Sequence, residues 1–459
     1  MTEQKLERRL KNRHIQLIAI GGAIGTGLFL GSGKSIHLAG PSILFAYLII
    51  GIALFFVMRS LGELLLSNSG YLSFTDFASE YMGPLAGFVT GWTYWFCWIM
   101  TAMADITAVG KYIQFWFNVP QWVPALLCLV VLTILNLMTV RMFGEIEFWF
   151  AIIKVITIIL LIVLGLIMIF TGFKTNTGYA SVQNIWSYGG LFPHGLSGFF
   201  LGFQMAVFSF VGIELVGVTA AETADPEKTL PRAINSLPVR VLLFYIGALF
   251  VILCINPWTM LNPNSSPFVR VFTLIGIPAA AGVINFVVLT SAASACNSGL
   301  FSTSRMLYSL GREGNAPRTF SILGKSSVPS SALIASTLAL SIGVVLNYFL
   351  PDFVFTLVTS ISAICFIWVW SIILISHIIY RKKRPDLAAA SKFKAPFAPA
   401  INWLILAFFA FLLILIGMAE DTRVALFVTP VWFFLLVMAY WFHKKKKMNR
   451  EQIVVNSKI

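Results

Sequence analysis

Residues Ile18–Gly33 read IAIGGAIGTGLFLGSG, with glycine at positions 21, 22, 25, 27, 31 and 33. The stretch is apolar and long enough to belong to a membrane helix, yet it carries the residue that weakens helices most. Glycine in such a place has two physical uses. It lets helices pack closely through small residues. It also permits unusual backbone angles and close approach of a ligand to the main chain. Local sequence alone leaves both open.

Composition fixes the setting. Of the 459 residues, 58% are hydrophobic and 11% are charged, whereas a soluble domain carries about 25% charged residues. So little polar surface cannot cover a soluble globule of this length, so the chain is read as integral to a lipid bilayer. A spanning helix needs about 20 mostly apolar residues. Twelve runs qualify: 15–36, 41–66, 84–115, 121–140, 147–171, 196–221, 239–260, 276–306, 331–350, 353–380, 400–418 and 423–442. The alternating short strands of a membrane barrel are not seen. The expected fold is therefore all-α, with a membrane domain over 15–443 between tails at 1–14 and 444–459.

Loop charges orient the spans. With both termini cytoplasmic, the inner segments hold nearly all Lys and Arg, including Arg381–Arg384 and Lys444–Lys447. The outer loops hold only Lys34, Lys111, Lys174, Arg270 and Arg423. The net charge of +14 thus reads as a topology signal, and nucleic-acid binding is set aside. The basic first fourteen residues, followed by a run without a small-residue cleavage site, read as a retained tail in a multi-pass protein of the cell membrane. The five cysteines lie in or beside apolar runs without metal-ligand spacing and read as buried small hydrophobes. In ETADPEKTLPRAI (222–234), Asp225 stands at an N-cap and Pro226 at the first helical position, which predicts a short cytoplasmic helix.

The glycine stretch has a counterpart five spans later, FSFVGIELVG (Phe208–Gly217), with Gly212 and Gly217. Five is odd, so a repeat starting there enters the bilayer upside down. Paired glycine-broken segments in corresponding places of two halves point to a transport site at mid-membrane. A broken helix frees amides at the start of its second half, which suit an anion. It frees carbonyls at the end of its first half, which suit a cation. A zwitterion the size of one amino acid bridges the two.

Four stretches carry a resemblance: NRHIQLIAIGGAIGTGLFLGSG, GEIEFWFAIIKV, FSFVGIELVGVTAAETADPEKTLPRAI and SAASACNSGLFSTSRMLYSLGREGNAP. Together they resemble the amino acid transporter family of the amino acid–polyamine–organocation superfamily over nearly the whole chain. PSILFAYLIIGIALFFVMRSLGELLLSN, GWTYWFCWIMTAMAD and HGLSGFF are most similar to its bacterial D-serine/D-alanine/glycine permeases. The resemblance implies a LeuT-type five-plus-five inverted repeat (about 15–171 and 196–380) with broken helices one and six. Two extra helices follow at about 400–442. It also implies proton-coupled uptake. Matched residue by residue, it places the substrate carboxylate at Thr26 and the amides of Gly25 and Gly27. It places the ammonium at the carbonyls of Ala23, Phe208 and Val211, with Phe208 as an aromatic gate. The side-chain pocket falls around Cys97, Thr101 and Ala104.

Ionisable residues at membrane depth are functional candidates by default. Lys154 lies about two turns into span five, where snorkelling to the interface is one reading. The resemblance implies the other: a lysine standing where a sodium ion sits in relatives, between spans one, five and eight, with Ser291 or Ser294 as partner. Glu214 in the second break reads equally as a brace or as a proton-sensitive link. Glu222 is a candidate for the inner gate. Asp105 reads as facing the cavity or as an interfacial residue near Lys111. Glu63 and Arg59, four apart, read as a pair, and the five histidines read as interfacial.

The expected function is a proton-coupled symporter of small neutral amino acids, foremost glycine, D-alanine and D-serine. It works by alternating access, spans one, two, six and seven rocking against three, four, eight and nine. Its expected partners are substrate, proton and bilayer, with no cofactor beyond the proton gradient, no metal and no obligate protein partner. The near alternative is the same machine for an aromatic amino acid, proline or 4-aminobutyrate. An intramembrane enzyme would need a catalytic cluster such as HExxH or GxSxG, which the chain lacks. A channel would give flux that does not saturate.

Overall fold

The computed structural model describes residues 24–68, 71, 74–138, 140–215, 225–324 and 328–456, without the side chains of 140–146, 278 and 446–456. Nearly all of these residues are helical, because in lipid only a helix satisfies every backbone group of a lone segment internally. Each apolar run contains a helix. Eight helices among the described residues are long and apolar enough to cross a membrane, and Trp122–Met138 and Gly195–Phe208 are shorter apolar ones.

The Pro84–Ile113 helix forms the middle of the molecule, packed against Pro278–Arg312 and Val354–Lys383. Along Val140–Thr171, Ile156, Leu160 and Ile167 point outward and exposed. In a soluble fold such a stripe would mark an interface; in this chain it is the face left for lipid. The outward face of Arg423–Asn456 is likewise apolar, with Phe427, Phe434 and Leu435 exposed.

Both glycine-bearing segments are irregular where the described residues reach them. The first continues from Ile24 and Gly25 into a wide turn, Gly27–Gly31, and then the Ser32–Ala39 helix. The second ends as a regular helix at Phe208. Beyond it the amides of Ser209, Phe210 and Val211 bond three residues back instead of four, to Ala206, Val207 and Phe208. Gly212 then takes a φ of +95°, which glycine adopts without strain. Gly21, Gly22 and Gly217 lie outside the described residues.

Several expectations need correction. The last helix does not stop at 442 but runs to Asn456. Two amphipathic helices, Phe74–Met82 and Pro267–Ile275, and a two-stranded hairpin pairing Lys174 with Tyr179, fill connections read as loops. The helix after Asp225 is present as Pro226–Asn235, but the Asp225 side chain makes no cap; it pairs with Lys228 at 3.1 Å. Glu63 does not bond Arg59. Its carboxylate accepts from Arg381 Nη2 at 2.8 Å and faces His377 Nε2 at 3.0 Å, while Arg59 donates to Asn235. His377 is accordingly fully buried, not interfacial.

Candidate functional site

The two breaks meet backbone to backbone. A Cβ on Gly27 would lie 2.5 Å from Ser209 Cα and 2.9 Å from the Phe208 carbonyl oxygen, so only glycine fits there. Gly25 differs, since a Cβ there would meet nothing closer than Ala295 Cβ at 3.7 Å. One glycine is required by the close approach of the two segments, and the other borders free space.

That space is a small cavity at the junction. Gly25, Thr26 and Gly27 line it from the first break, and Phe208, Ser209 and Val211 from the second. Trp98, Thr101 and Asp105 line it from the Pro84–Ile113 helix, and Ala295 and Ser298 from the Pro278–Arg312 helix. The structure thus brings together five of the six residues matched to the substrate's carboxylate and ammonium; Ala23 lies outside the described residues, as does Glu222. Of the trio expected in the side-chain pocket, Thr101 lines the cavity, and Cys97 and Ala104 are fully buried behind it. Trp98 and Asp105 take their places. The positions 98, 101 and 105 are spaced by three and four, one face of a helix, a signal that was available in the sequence.

Local bonds hold each wall. Tyr47 Oη lies 2.7 Å from Ser209 Oγ, and Tyr245 Oη donates to the Ser209 carbonyl at 3.0 Å. These two phenols fix the second break from neighbouring helices. The Thr101 hydroxyl donates to the Cys97 carbonyl at 2.9 Å and lies 2.8 Å from Ser362 Oγ. Phe208 is 3% exposed and meets Phe355 edge-on, with ring centroids 6.4 Å apart.

Asp105 is the main polar feature of the cavity. It is 1% exposed, and Thr26 Oγ1 donates to its Oδ1 at 2.6 Å. Its Oδ2 is buried without a partner among the described residues. A buried acceptor left unpaired costs roughly 1–3 kcal/mol, more when charged, so this oxygen is placed to receive a proton or a ligand donor. The interfacial reading of Asp105 does not survive this placement.

Lys154 is 1% exposed, so its ammonium stays among the helices rather than snorkelling. Its Nζ donates to the Ile24 carbonyl at 3.4 Å, and Ser291 Oγ donates to the same oxygen at 3.4 Å. In the turn that follows, the amides of Leu28 and Phe29 bond the Gly25 carbonyl, so a lysine and a serine occupy the carbonyl just before it. Ser294 is engaged elsewhere, donating to both oxygens of the buried Glu147 at 2.9 and 3.0 Å. Sequence reasoning passed over Glu147, although it stands seven residues before Lys154 and therefore on the same helical face.

Glu214 is fully buried beside the second break but does not line the cavity. Tyr94 Oη donates to its Oε1 at 3.4 Å, and its Oε2 has no partner among the described residues.

The chain matches the amino acid permease family over residues 14–453, and it belongs to that family. It is 64% identical to the uncharacterized transporter YdgF of Bacillus subtilis, over 97% of this chain and 98% of that protein. It is 64% identical to the amino-acid permease AapA of the same organism, over 95% of each chain. It is 58% identical to the D-serine/D-alanine/glycine transporter of Escherichia coli K12, over 97% of this chain and 96% of that protein.

Proposed function

We propose that this amino acid permease imports small neutral amino acids, foremost glycine, D-alanine and D-serine, together with a proton. The observation that carries the reading is the cavity at the meeting of the two breaks, lined by Thr26 and Asp105 at one side and by Thr101, Val211 and Ala295 at another. The name of the 58% identical transporter, which specifies D-serine, D-alanine and glycine, supports the substrate class. Trp98 and Phe208 restrict the cavity while Thr101, Ala295 and Ser298 are small, which suits no more than a methyl or hydroxymethyl side chain. Recognition through the α-ammonium and α-carboxylate makes little use of chirality.

In this reading the carboxylate meets the Thr26 hydroxyl and the amides of Gly25 and Gly27, where a helix begins and its dipole favours an anion. The ammonium meets carbonyls of the segment around Phe208 and Val211. Phe208 closes over the substrate. The chain crosses the bilayer twelve times with both termini inside, as two inverted five-helix repeats and two further helices. The bundle that carries the two breaks rocks against the remainder.

The same geometry supports coupling. With Asp105 ionised, the Thr26 proton is committed to it, and a second carboxylate beside that negative charge is disfavoured. Protonation of Asp105 on its free Oδ2 removes that charge and leaves Oδ1 a weaker acceptor, so the Thr26 hydroxyl can turn to the substrate. Substrate then binds only with a proton. Lys154 takes part from behind, since its ammonium holds the Ile24 carbonyl next to the residues that line the cavity.

A competition series tests the substrate class. Uptake of labelled D-alanine is measured against excess glycine, D-serine, phenylalanine, proline and 4-aminobutyrate. Inhibition by glycine and D-serine alone supports the proposal. Inhibition by phenylalanine, proline or 4-aminobutyrate instead moves the chain to the alternative substrate.

A further inference from the structure

Away from the cavity, the connection 391–399 between the Val354–Lys383 and Ala400–Met418 helices crosses the end of the Ile43–Ser67 helix. Its contacts are specific. Phe393 is 6% exposed and fills the space beside Gly62, where a Cβ would meet both Phe393 Cε1 and Ile234 Cδ1 at 2.7 Å. The Arg59 guanidinium lies over the same ring at 3.7 Å, bonds the Lys394 carbonyl, and reaches Asn235 Oδ1 at 2.9 Å. Two residues on, the Ala395 amide donates to Glu63 at 2.5 Å. Arg381 spans the same junction. It donates to Glu63 at 2.8 and 3.2 Å and to the carbonyls of Ala395 and Ala398 at 3.1 and 3.0 Å.

We propose that this strap is an inner latch, with Phe393 as its plug and Glu63, Arg59 and Arg381 as the positioning residues that seat it. The inference rests on the alternating-access reading above. There, the Ile43–Ser67 helix and the segment leading out of Asn235 belong to the moving bundle, and the loop charges put this end at the cytoplasm. The strap ties both to the helices on either side of it. The contacts at its rim can be remade: the Arg59 bonds are exposed and of small net worth, and the plug is a single ring. The bonds of Arg381 and the Ala395 amide to the buried Glu63 hold the strap more firmly. Lys392 and Lys394 on either side of the plug are exposed. Opening toward the cytoplasm requires the plug to leave Gly62.

The test locks the strap and, separately, loosens it. In full-length protein in vesicles, Arg59→Cys with Lys394→Cys is bridged by a short bismaleimide or by oxidation. The unbridged pair and the parent, whose own cysteines are buried or half-buried, serve as controls. The bridged protein is expected to bind amino acid, read by thermal shift, but to lose counterflow at least tenfold; a disulfide bridge should be reversible by reduction. Phe393→Ala is expected to speed counterflow. Counterflow in the bridged protein at the unbridged rate would overturn the latch and make the strap a rigid brace. Parent rates in Phe393→Ala would do the same. Absence of any amino acid binding or transport in the parent would instead overturn the transport reading on which the latch rests.

Discussion

The hydroxyl of Thr26, on the first broken segment, donates to Asp105 Oδ1 at 2.6 Å, from an element 79 residues away in the chain. The two residues line one cavity, and the second oxygen of Asp105 has no partner among the described residues. In the coupling proposed above, a proton on Asp105 frees the Thr26 hydroxyl for the substrate. Asp105→Asn keeps the size and the hydrogen bond but fixes the protonation state. It is expected to retain exchange of amino acid across the membrane while losing accumulation driven by a proton gradient. Counterflow and gradient-driven uptake, measured on the same vesicles, check this; intact accumulation would remove Asp105 from coupling.

Thr26→Val removes the hydroxyl and leaves Asp105 with both oxygens unpaired. Hydrogen bonds to charged groups are worth about 1.5–3 kcal/mol, so substrate affinity is expected to fall roughly tenfold to a hundredfold. Binding titrated by thermal shift tests it, and unchanged affinity would place the carboxylate elsewhere.

The two glycines of the first break should respond differently. Gly27→Ala sets a methyl 2.5 Å from Ser209 Cα, backbone against backbone. Neither segment can yield without moving the break, so folded yield or transport should collapse. Gly25→Ala meets only Ala295 Cβ at 3.7 Å and should fold. Its methyl narrows the cavity and should raise the Michaelis constant for D-serine more than for glycine. Equal behaviour of the two variants would contradict the description of the junction.

Lys154→Ala takes the ammonium from the Ile24 carbonyl and from the helical face it shares with the buried Glu147. The variant should lose both stability and accumulation. The double variant with Glu147→Gln should regain stability, read as melting temperature, without regaining accumulation. Recovery of accumulation in the double variant would reduce Lys154 to a structural counter-ion.

Much of this was legible in the chain because lipid simplifies the rules. A run of twenty apolar residues has one solution, so each apolar run contains a helix, while the helices that overrun or lie between the runs were not legible. The breaks were legible because glycine in such a run has few explanations. The charged network was less so. Asp105 lies seven residues beyond Trp98 on the helix that carries both to the cavity, but nothing local says which face of an all-apolar helix meets the site. Glu147 was hidden because its partner, Ser294, is 147 residues away. The Glu63 pairing went wrong for a related reason: helical spacing offered Arg59, and the fold supplied Arg381 from 318 residues away. A buried carboxylate takes the better-placed donor, and chain separation does not weaken it.

The central claim is coupled transport of a small amino acid through the junction of the two breaks. Uptake of radiolabelled D-alanine into vesicles with an imposed inward proton gradient, with and without a protonophore, tests it most directly. Saturable accumulation that collapses with the protonophore is the predicted result. Uptake that neither saturates nor depends on the gradient, or no uptake by folded protein, would contradict it.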